Sequence, residues 1–113
     1  MGVDANGLLT SNPSPIEIMD FLEGLDYVKN TNITPTSVSK FVYVNFTWFG
    51  EQRNMAVFYD GKCKCDYETI WPHDAAFVSI GKWGMSHAII MSLVNKFGGF
   101  YRLNDCTDEW KGV

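Results

Sequence analysis

The chain has 113 residues, of which 46% are hydrophobic and 15% aromatic, a size and composition that suit one folded domain and exclude an intrinsically disordered chain. Nine Lys and Arg residues stand against thirteen Asp and Glu residues, so the formal net charge is −4 and the phosphate neutralisation that drives non-specific nucleic-acid binding is weak. We therefore expect a single domain over residues 1–113 that does not bind nucleic acid directly.

The N-terminal part of the chain predicts a short strand and a helix. The strand lies near Gly7 to Thr10, and the helix spans residues 15–24. Ser14 is placed to cap this helix, Pro15 occupies the first helical position, where its missing N–H costs nothing, and Glu17 completes a capping box. The apolar stripe of the helix comprises Ile18, Phe21, Leu22 and Leu25.

A polar segment separates this helix from the predicted sheet. Residues 26–39 are rich in polar side chains and predict a long connection with room for a short strand. Residues 40–49 are rich in β-branched and aromatic side chains and predict a strand. Both faces of this strand are partly apolar, so we expect it to lie inside the sheet rather than at an edge. One face carries Val42, Val44, Phe46 and Trp48.

The middle of the chain predicts further antiparallel strands. In order, the sequence predicts a polar turn at 50–54, a returning strand at 55–59, a two-residue hairpin turn at Asp60-Gly61, a third strand at 62–67 and a fourth strand at 76–80.

The C-terminal part predicts a second helix over residues 86–97 and a last strand at 100–103. Ser86 is placed to cap this helix, and Gly98 to end it in the left-handed conformation. The buried stripe comprises Ile89, Ile90, Leu93, Val94 and Phe97. Together these elements predict an α+β fold, a single domain with a mostly antiparallel sheet of four to six strands packed by two α-helices.

The cysteine residues predict neither a metal site nor a disulfide framework. Cys63 and Cys65 share one face of a predicted strand, but zinc sites use longer spacings and a second pair of ligands. The total of three Cys is odd, which favours reduced thiols in a short chain. We therefore expect no metal and no cofactor, and interpret the pair as small buried side chains.

An enzyme is the alternative to a binding protein. Cys106, His87 and Asp105 supply the side chains of a small hydrolase, and Asp105, Asp108 and Glu109 those of a divalent-cation site. No local sequence signature accompanies either set, and such residues occur together in many chains. We therefore expect a protein that is not an enzyme.

The residues that these elements leave unexplained predict a recognition surface. Trp71 and Trp83 fall in predicted turns, and His87 lies where the free backbone N–H groups of a helix start can bind an anion. The predicted surface comprises Trp71, His73, Trp83, Ser86, His87, Asp105, Asp108, Glu109 and Trp110. Its carboxylates would repel phosphate, so a protein partner is favoured over a nucleotide or another small ligand. The competing interpretation is that the aromatic rings seal the sheet against the helices.

The sequence contains no recognisable signal for export or membrane insertion. No stretch approaches the roughly 20 apolar residues of a membrane span, and the first residues lack the basic start and apolar block of a signal peptide. We expect a cytoplasmic protein that does not contact a membrane. Two glycosylation sequons, Asn32-Ile33-Thr34 and Asn45-Phe46-Thr47, would not be used without export.

The C-terminal part resembles a group of small phage proteins. The runs Trp83-Gly84-x-Ser86-x-x-Ile89-Ile90, Phe97-Gly98-Gly99-Phe100 and Asn104-Asp105 are similar to the C-terminal half of small proteins from phages, prophages and neighbouring mobile elements, some of which resemble immunity proteins. The resemblance implies an accessory protein of the host cell cytoplasm that inhibits or sequesters a host defence component, a toxin or a signalling ligand. It leaves a phage structural or assembly component as a further alternative.

Overall fold

The fold consists of one antiparallel sheet and two helices, seen in a computed structural model that describes residues 4–37, 40–59, 75–81, 87–102 and 109–112. In chain order the elements are β1 (Asp4–Leu9), α1 (Pro15–Glu23), β2 (Val28–Pro35), β3 (Phe41–Trp48), β4 (Glu51–Phe58), β5 (Ala76–Gly81), α2 (His87–Phe97), β6 (Gly99–Arg102) and β7 (Lys111–Gly112). The sheet order is β2-β3-β4-β5-β1-β6-β7, and every neighbouring pair is antiparallel. The predicted α+β class is confirmed, and the described residues contribute seven strands where four to six were expected.

The first helix begins as its sequence predicts. The Ser14 hydroxyl accepts a hydrogen bond from the backbone N–H of Glu17 (3.2 Å), and the Ser14 N–H donates to the Glu17 carboxylate (3.0 Å). This reciprocal pair is the predicted capping box, with Pro15 at the start of the helix. Gly24 ends the helix with a right-handed φ of −75°, and its N–H donates to the carbonyl of Phe21 (3.1 Å).

The second helix and the strand after it also follow the predicted pattern. Four residues of the predicted stripe are buried, namely Ile89, Ile90, Leu93 and Val94, and Phe97 is half-buried. Gly98 ends the helix at φ +80°, and its N–H donates to the carbonyl of Val94 (2.8 Å). Gly99 follows at φ +130°, where an added Cβ would overlap the carbonyl oxygen of Leu8, so only glycine fits this approach of β6 to β1.

Two segments contribute more to the sheet than the sequence predicted: the connection at 26–39, for which only a short strand was allowed, and the turn at 50–54. Residues 28–35 form β2, an edge strand whose mostly exposed side chains lack the hydrophobic alternation by which a strand is identified. The predicted turn at 50–54 is wrong. The turn is formed by Phe49 and Gly50 alone, at φ +49° and +78°, and β4 begins directly after it.

Both helices pack on one face of the sheet, which we call the helix face. Together with the inward side chains of five strands, β1 to β5, they form one buried core: Ala5, Leu9, Ile18, Leu22, Val28, Val44, Phe46, Trp48, Met55, Val57, Ala76, Val78, Ile80, Ile89, Ile90, Leu93 and Val94. Side chains at alternate positions point to the opposite face, the open face. Leu8, Ala75 and Phe77 form a second, smaller buried cluster there.

Several predicted features lie outside the described residues. These are the Asp60-Gly61 turn, the strand at 62–67, the Ser86 cap, and the three thiols Cys63, Cys65 and Cys106. In the described part of the chain, neither helix has the length and apolar character needed to span a membrane.

Candidate functional site

Three residues of the predicted recognition surface are described. His87 is the first residue of α2, as predicted, and is half-buried, whereas Glu109 is exposed. Trp110 is half-buried against Phe77 on the open face, while α2 packs on the helix face. The other members, Trp71, His73, Trp83, Ser86, Asp105 and Asp108, lie outside the described residues. The combined surface therefore stays a prediction.

Trp110 has a packing role in the described structure. Its ring meets the ring of Phe77 edge to face, with centroids 6.0 Å apart. The guanidinium carbon of Arg102 lies 4.5 Å from the centre of the same indole, a cation–π arrangement. These two contacts give Trp110 a packing role on the open face, and not between the sheet and the helices, where the competing interpretation placed the aromatic rings.

A chain of hydrogen bonds crosses three strands beneath this ring, and no sequence pattern predicts it. Arg102 Nε donates to Asn6 Oδ1 (2.8 Å), Asn6 Nδ2 donates to Ser79 Oγ (3.0 Å), and the Ser79 hydroxyl donates to Asp4 Oδ2 (3.0 Å). Asn6 and Arg102 are buried. Every bond points from the cation towards the carboxylate, so the bonds polarise one another and stabilise the sheet.

The hydrogen bonds of Ser79 serve the sheet. The Ser79 oxygen receives the Asn6 amide and gives its proton to Asp4, so its hydrogen bonds hold β5 to β1. Within the described ranges no three His, Cys, Asp or Glu side chains come together to hold a metal ion. The predicted hydrolase residues Cys106 and Asp105 lie outside those ranges.

Among the ionisable groups in the described part of the chain, Tyr59 is the one that the fold perturbs most clearly. Its hydroxyl donates to the carbonyl of Pro13 (2.9 Å). Burial, with a smaller contribution from the negative charge of Glu17, raises the pKa of Tyr59 well above its usual value. The hydroxyl therefore stays protonated at neutral pH and connects the start of α1 to the end of β4.

An exposed aromatic cluster lies at the turn between β3 and β4. We call it the hairpin tip, formed by Tyr27, Trp48 and Phe49. The rings of Tyr27 and Phe49 stack with centroids 4.6 Å apart and 11° between their planes, and the buried Trp48 contacts both. Phe49 is 68% exposed and Tyr27 40% exposed. The Phe49 N–H donates to the Tyr27 carbonyl (3.2 Å), which ties the turn to the α1–β2 connection.

Carboxylates flank the hairpin tip along the chain and across the hairpin. Glu23 and Asp26 shortly precede Tyr27 and are exposed, and Glu51 pairs with Trp48 across the β3–β4 ladder. Glu51 also binds Arg53 through a 2.9 Å ion pair. The sequence assigned Phe49 to a strand and so missed this cluster. The signal that could have found it is Gly50, which favours a tight turn at Phe49-Gly50.

A second surface lies on the open face of β2, β3 and β4. We call it the amide face, and it comprises Asn32, Thr34, Tyr43, Asn45, Gln52 and Asn54, which line a cleft of about 440 Å³. Asn45 Nδ2 donates to Asn32 Oδ1 (3.0 Å) and to Thr34 Oγ1 (2.7 Å). None of the six side chains is charged. The sequence assigned two of them, Asn32 and Thr34, to a connection.

Comparisons with known proteins leave this geometry as the only guide to function. No family model, no curated protein and no solved structure matches the chain. The kinship with small phage proteins accordingly stays a prediction.

Proposed function

We propose that this chain is a non-enzymatic binding protein that engages a protein partner through the hairpin tip. The observation that carries the proposal is Phe49, a bulky side chain held at φ +49° and 68% exposed. The left-handed region is unusual for such a residue, and the two-residue hairpin turn favours Asn, Asp or Gly there. Backbone outliers of this kind are typical of functional sites.

The contribution of Phe49 to folding does not explain its presence. The left-handed conformation costs roughly 1–2 kcal/mol for a residue with a Cβ. Stacking on Tyr27 returns about 0.5–1.5 kcal/mol, so the two effects nearly cancel. The neighbouring indole N–H of Trp48 is buried and finds no acceptor within the described ranges. The residues of the hairpin tip are therefore not the ones that would make this turn most stable, as expected for a surface that serves recognition.

The surroundings of the tip indicate the chemistry of the partner. Exposed aromatic side chains are frequent anchors of protein interfaces because they bury a large apolar area with few rotatable bonds. Glu23 and Asp26 add negative charge shortly before Tyr27, whereas the charge of Glu51 is balanced by Arg53, and the whole chain carries a net charge of −4. We expect an apolar pocket rimmed by Lys or Arg on the partner. On the phage resemblance, such a partner would be a defence component or a toxin that this protein occupies.

Phe49→Asn tests the proposal because Asn suits the left-handed turn while the aromatic anchor is lost. Phe100→Thr is the matched control, since Phe100 is 44% exposed and lies on β6, several strands away from the hairpin. Partners are captured from native host cells with the wild-type protein, purified, and titrated calorimetrically against all three proteins. Phe49→Asn should lower the affinity by about 2 kcal/mol, roughly 30-fold, with an unfolding midpoint near that of the wild type.

The control variant should bind like the wild type, and the affinity of the wild type should fall as salt is raised. A purified partner that binds Phe49→Asn as tightly as the wild-type protein contradicts the hairpin tip as the interface.

A further inference from the structure

We infer that the amide face is a second binding site and that its ligand is an uncharged carbohydrate. The site lies on the open face of β2, β3 and β4, whereas the hairpin tip lies at the end of the β3–β4 hairpin, so the inference does not depend on the proposed function. Its basis is a regular array of side chains. Asn32 lies opposite Asn45, and Asn45 lies opposite Asn54, which gives a row of three Asn across three strands.

The composition of this row goes against the preferences of a sheet. Asn is depleted in strands, where β-branched and aromatic side chains pack better against their neighbours. Three Asn at directly paired positions therefore do not serve strand formation. Departures of this kind from local preference are expected where side chains serve a ligand.

Internal hydrogen bonds fix the orientation of the amides. Asn45 uses its Nδ2 for both bonds to β2, so its Oδ1 accepts from no described residue and is available as an acceptor. Asn54 accepts from Gln52 Nε2 through its Oδ1 (3.4 Å), which leaves its own Nδ2 as a donor. An acceptor and a donor thus lie side by side on adjacent strands, and neighbouring sugar hydroxyls, which both donate and accept, can bind to such a pair.

An aromatic ring lies one row further along the same face. Tyr43 is opposite Thr34 on one side and Ala56 on the other, and 37% of it is exposed. The Phe41 ring, with its centroid 5.0 Å away, supports it from the side. A ring next to oriented amides suits the C–H face of a pyranose, because it supplies apolar area beside the polar groups that bind the hydroxyls.

The six lining side chains carry no charge, which favours an uncharged carbohydrate over a nucleic acid. A nucleic acid would need basic groups to neutralise its phosphates, and the exposed Lys29 lies only at the margin, opposite Thr47. Glycosylation of the sequons at Asn32 and Asn45 is a different explanation for these residues. Both lie within paired strands, whereas used sequons are typical of surface loops, and the Asn45 nitrogen is already engaged in two hydrogen bonds.

The test is a titration of isotope-labelled full-length protein followed by amide NMR. The probes are four neutral hexasaccharides, built from glucose, mannose, galactose or N-acetylglucosamine, and a uridine hexanucleotide. At least one sugar should shift the side-chain NH₂ signals of Asn45 and Asn54. Tyr43→Ala and Asn54→Ala should each weaken that binding about tenfold, whereas Asn95→Ala, which removes an exposed amide on α2, should not.

Four results would overturn the inference. They are no shift with any of the four sugars, shifts confined to another surface, equal affinity of Tyr43→Ala and Asn95→Ala, and a stronger response to the hexanucleotide than to every sugar. Spectra of the free variants show whether each one is folded. Phe49→Asn should keep the sugar affinity of the wild type, so failure at one surface is distinguishable from failure at the other.

Discussion

Asn6→Ala should be among the most destabilising single substitutions on the open face. The side chain of Asn6 is buried and joins β6 to β5 through two hydrogen bonds, from Arg102 Nε (2.8 Å) and to Ser79 Oγ (3.0 Å). A hydrogen bond to a charged group contributes about 1.5–3 kcal/mol and a neutral one about 0.5–1.5 kcal/mol. The loss should therefore be about 3 kcal/mol, because the guanidinium of Arg102 stays buried with one acceptor fewer.

Urea unfolding followed by tryptophan fluorescence measures this loss, and a thermal scan should show the melting temperature falling by about 10 °C or more. Ser79→Ala is the matched control. Ser79→Ala removes the hydrogen bonds of Ser79 to Asn6 and to Asp4 but leaves the bond between Arg102 and Asn6 intact. Although one of these bonds is to a carboxylate, we expect the substitution to cost only about 1 kcal/mol, because Asp4 and Ser79 are half-buried and water can replace the lost partners. The reasoning is refuted if Asn6→Ala costs less than about 1 kcal/mol, or no more than Ser79→Ala does.

Two further predictions concern a glycine pair and the hydroxyl of the half-buried Tyr59. Gly99→Ala should lower the free energy of unfolding by about 4 kcal/mol or more, since the added Cβ would overlap the carbonyl of Leu8. Gly98→Ala should lower it by only the roughly 1–2 kcal/mol that a residue with a Cβ costs in the left-handed conformation. Equal urea midpoints for the two variants would contradict this reasoning. Tyr59→Phe should cost about 1 kcal/mol at neutral pH by removing the hydrogen bond to Pro13. Because burial raises the pKa of Tyr59 in the folded state, the wild type should keep its full stability below about pH 10, the usual pKa of tyrosine, and lose stability as the pH rises further. Urea titrations at about pH 8 and about pH 11 should show a smaller loss for Tyr59→Phe, and an equal loss in both proteins would contradict the assignment.

The helices could be predicted from sequence because their signals are local. The capping box of α1 lies within four consecutive residues, Ser14 to Glu17, and the stripe of α2 repeats at the helical period up to the left-handed Gly98. The strands at the centre of the sheet could also be predicted, since they bury apolar side chains at every second position or on both faces. These features require only neighbours along the chain and the burial of apolar area.

Only the tertiary structure shows which residues that are far apart in the sequence come into contact. Asn6 and Arg102 are 96 positions apart, so neither residue alone predicts the polar chain that crosses the sheet. The row of Asn on the amide face exists only through the register of three strands, one of which is a polar edge strand that takes its form from pairing with β3.

The candidate sites likewise divide into residues that the sequence singled out and residues that only the tertiary structure brought to notice. The sequence directed attention to Trp and His residues in predicted turns, whereas the exposed aromatic side chain at the hairpin tip, Phe49, belonged to a predicted strand. Because the turn is three residues shorter than predicted and begins at Phe49, this residue lies in the turn and not in a paired strand. Composition and periodicity record how each segment prefers to fold. Exposure and register depend on which segments pair, and that is set by the packing of the whole sheet.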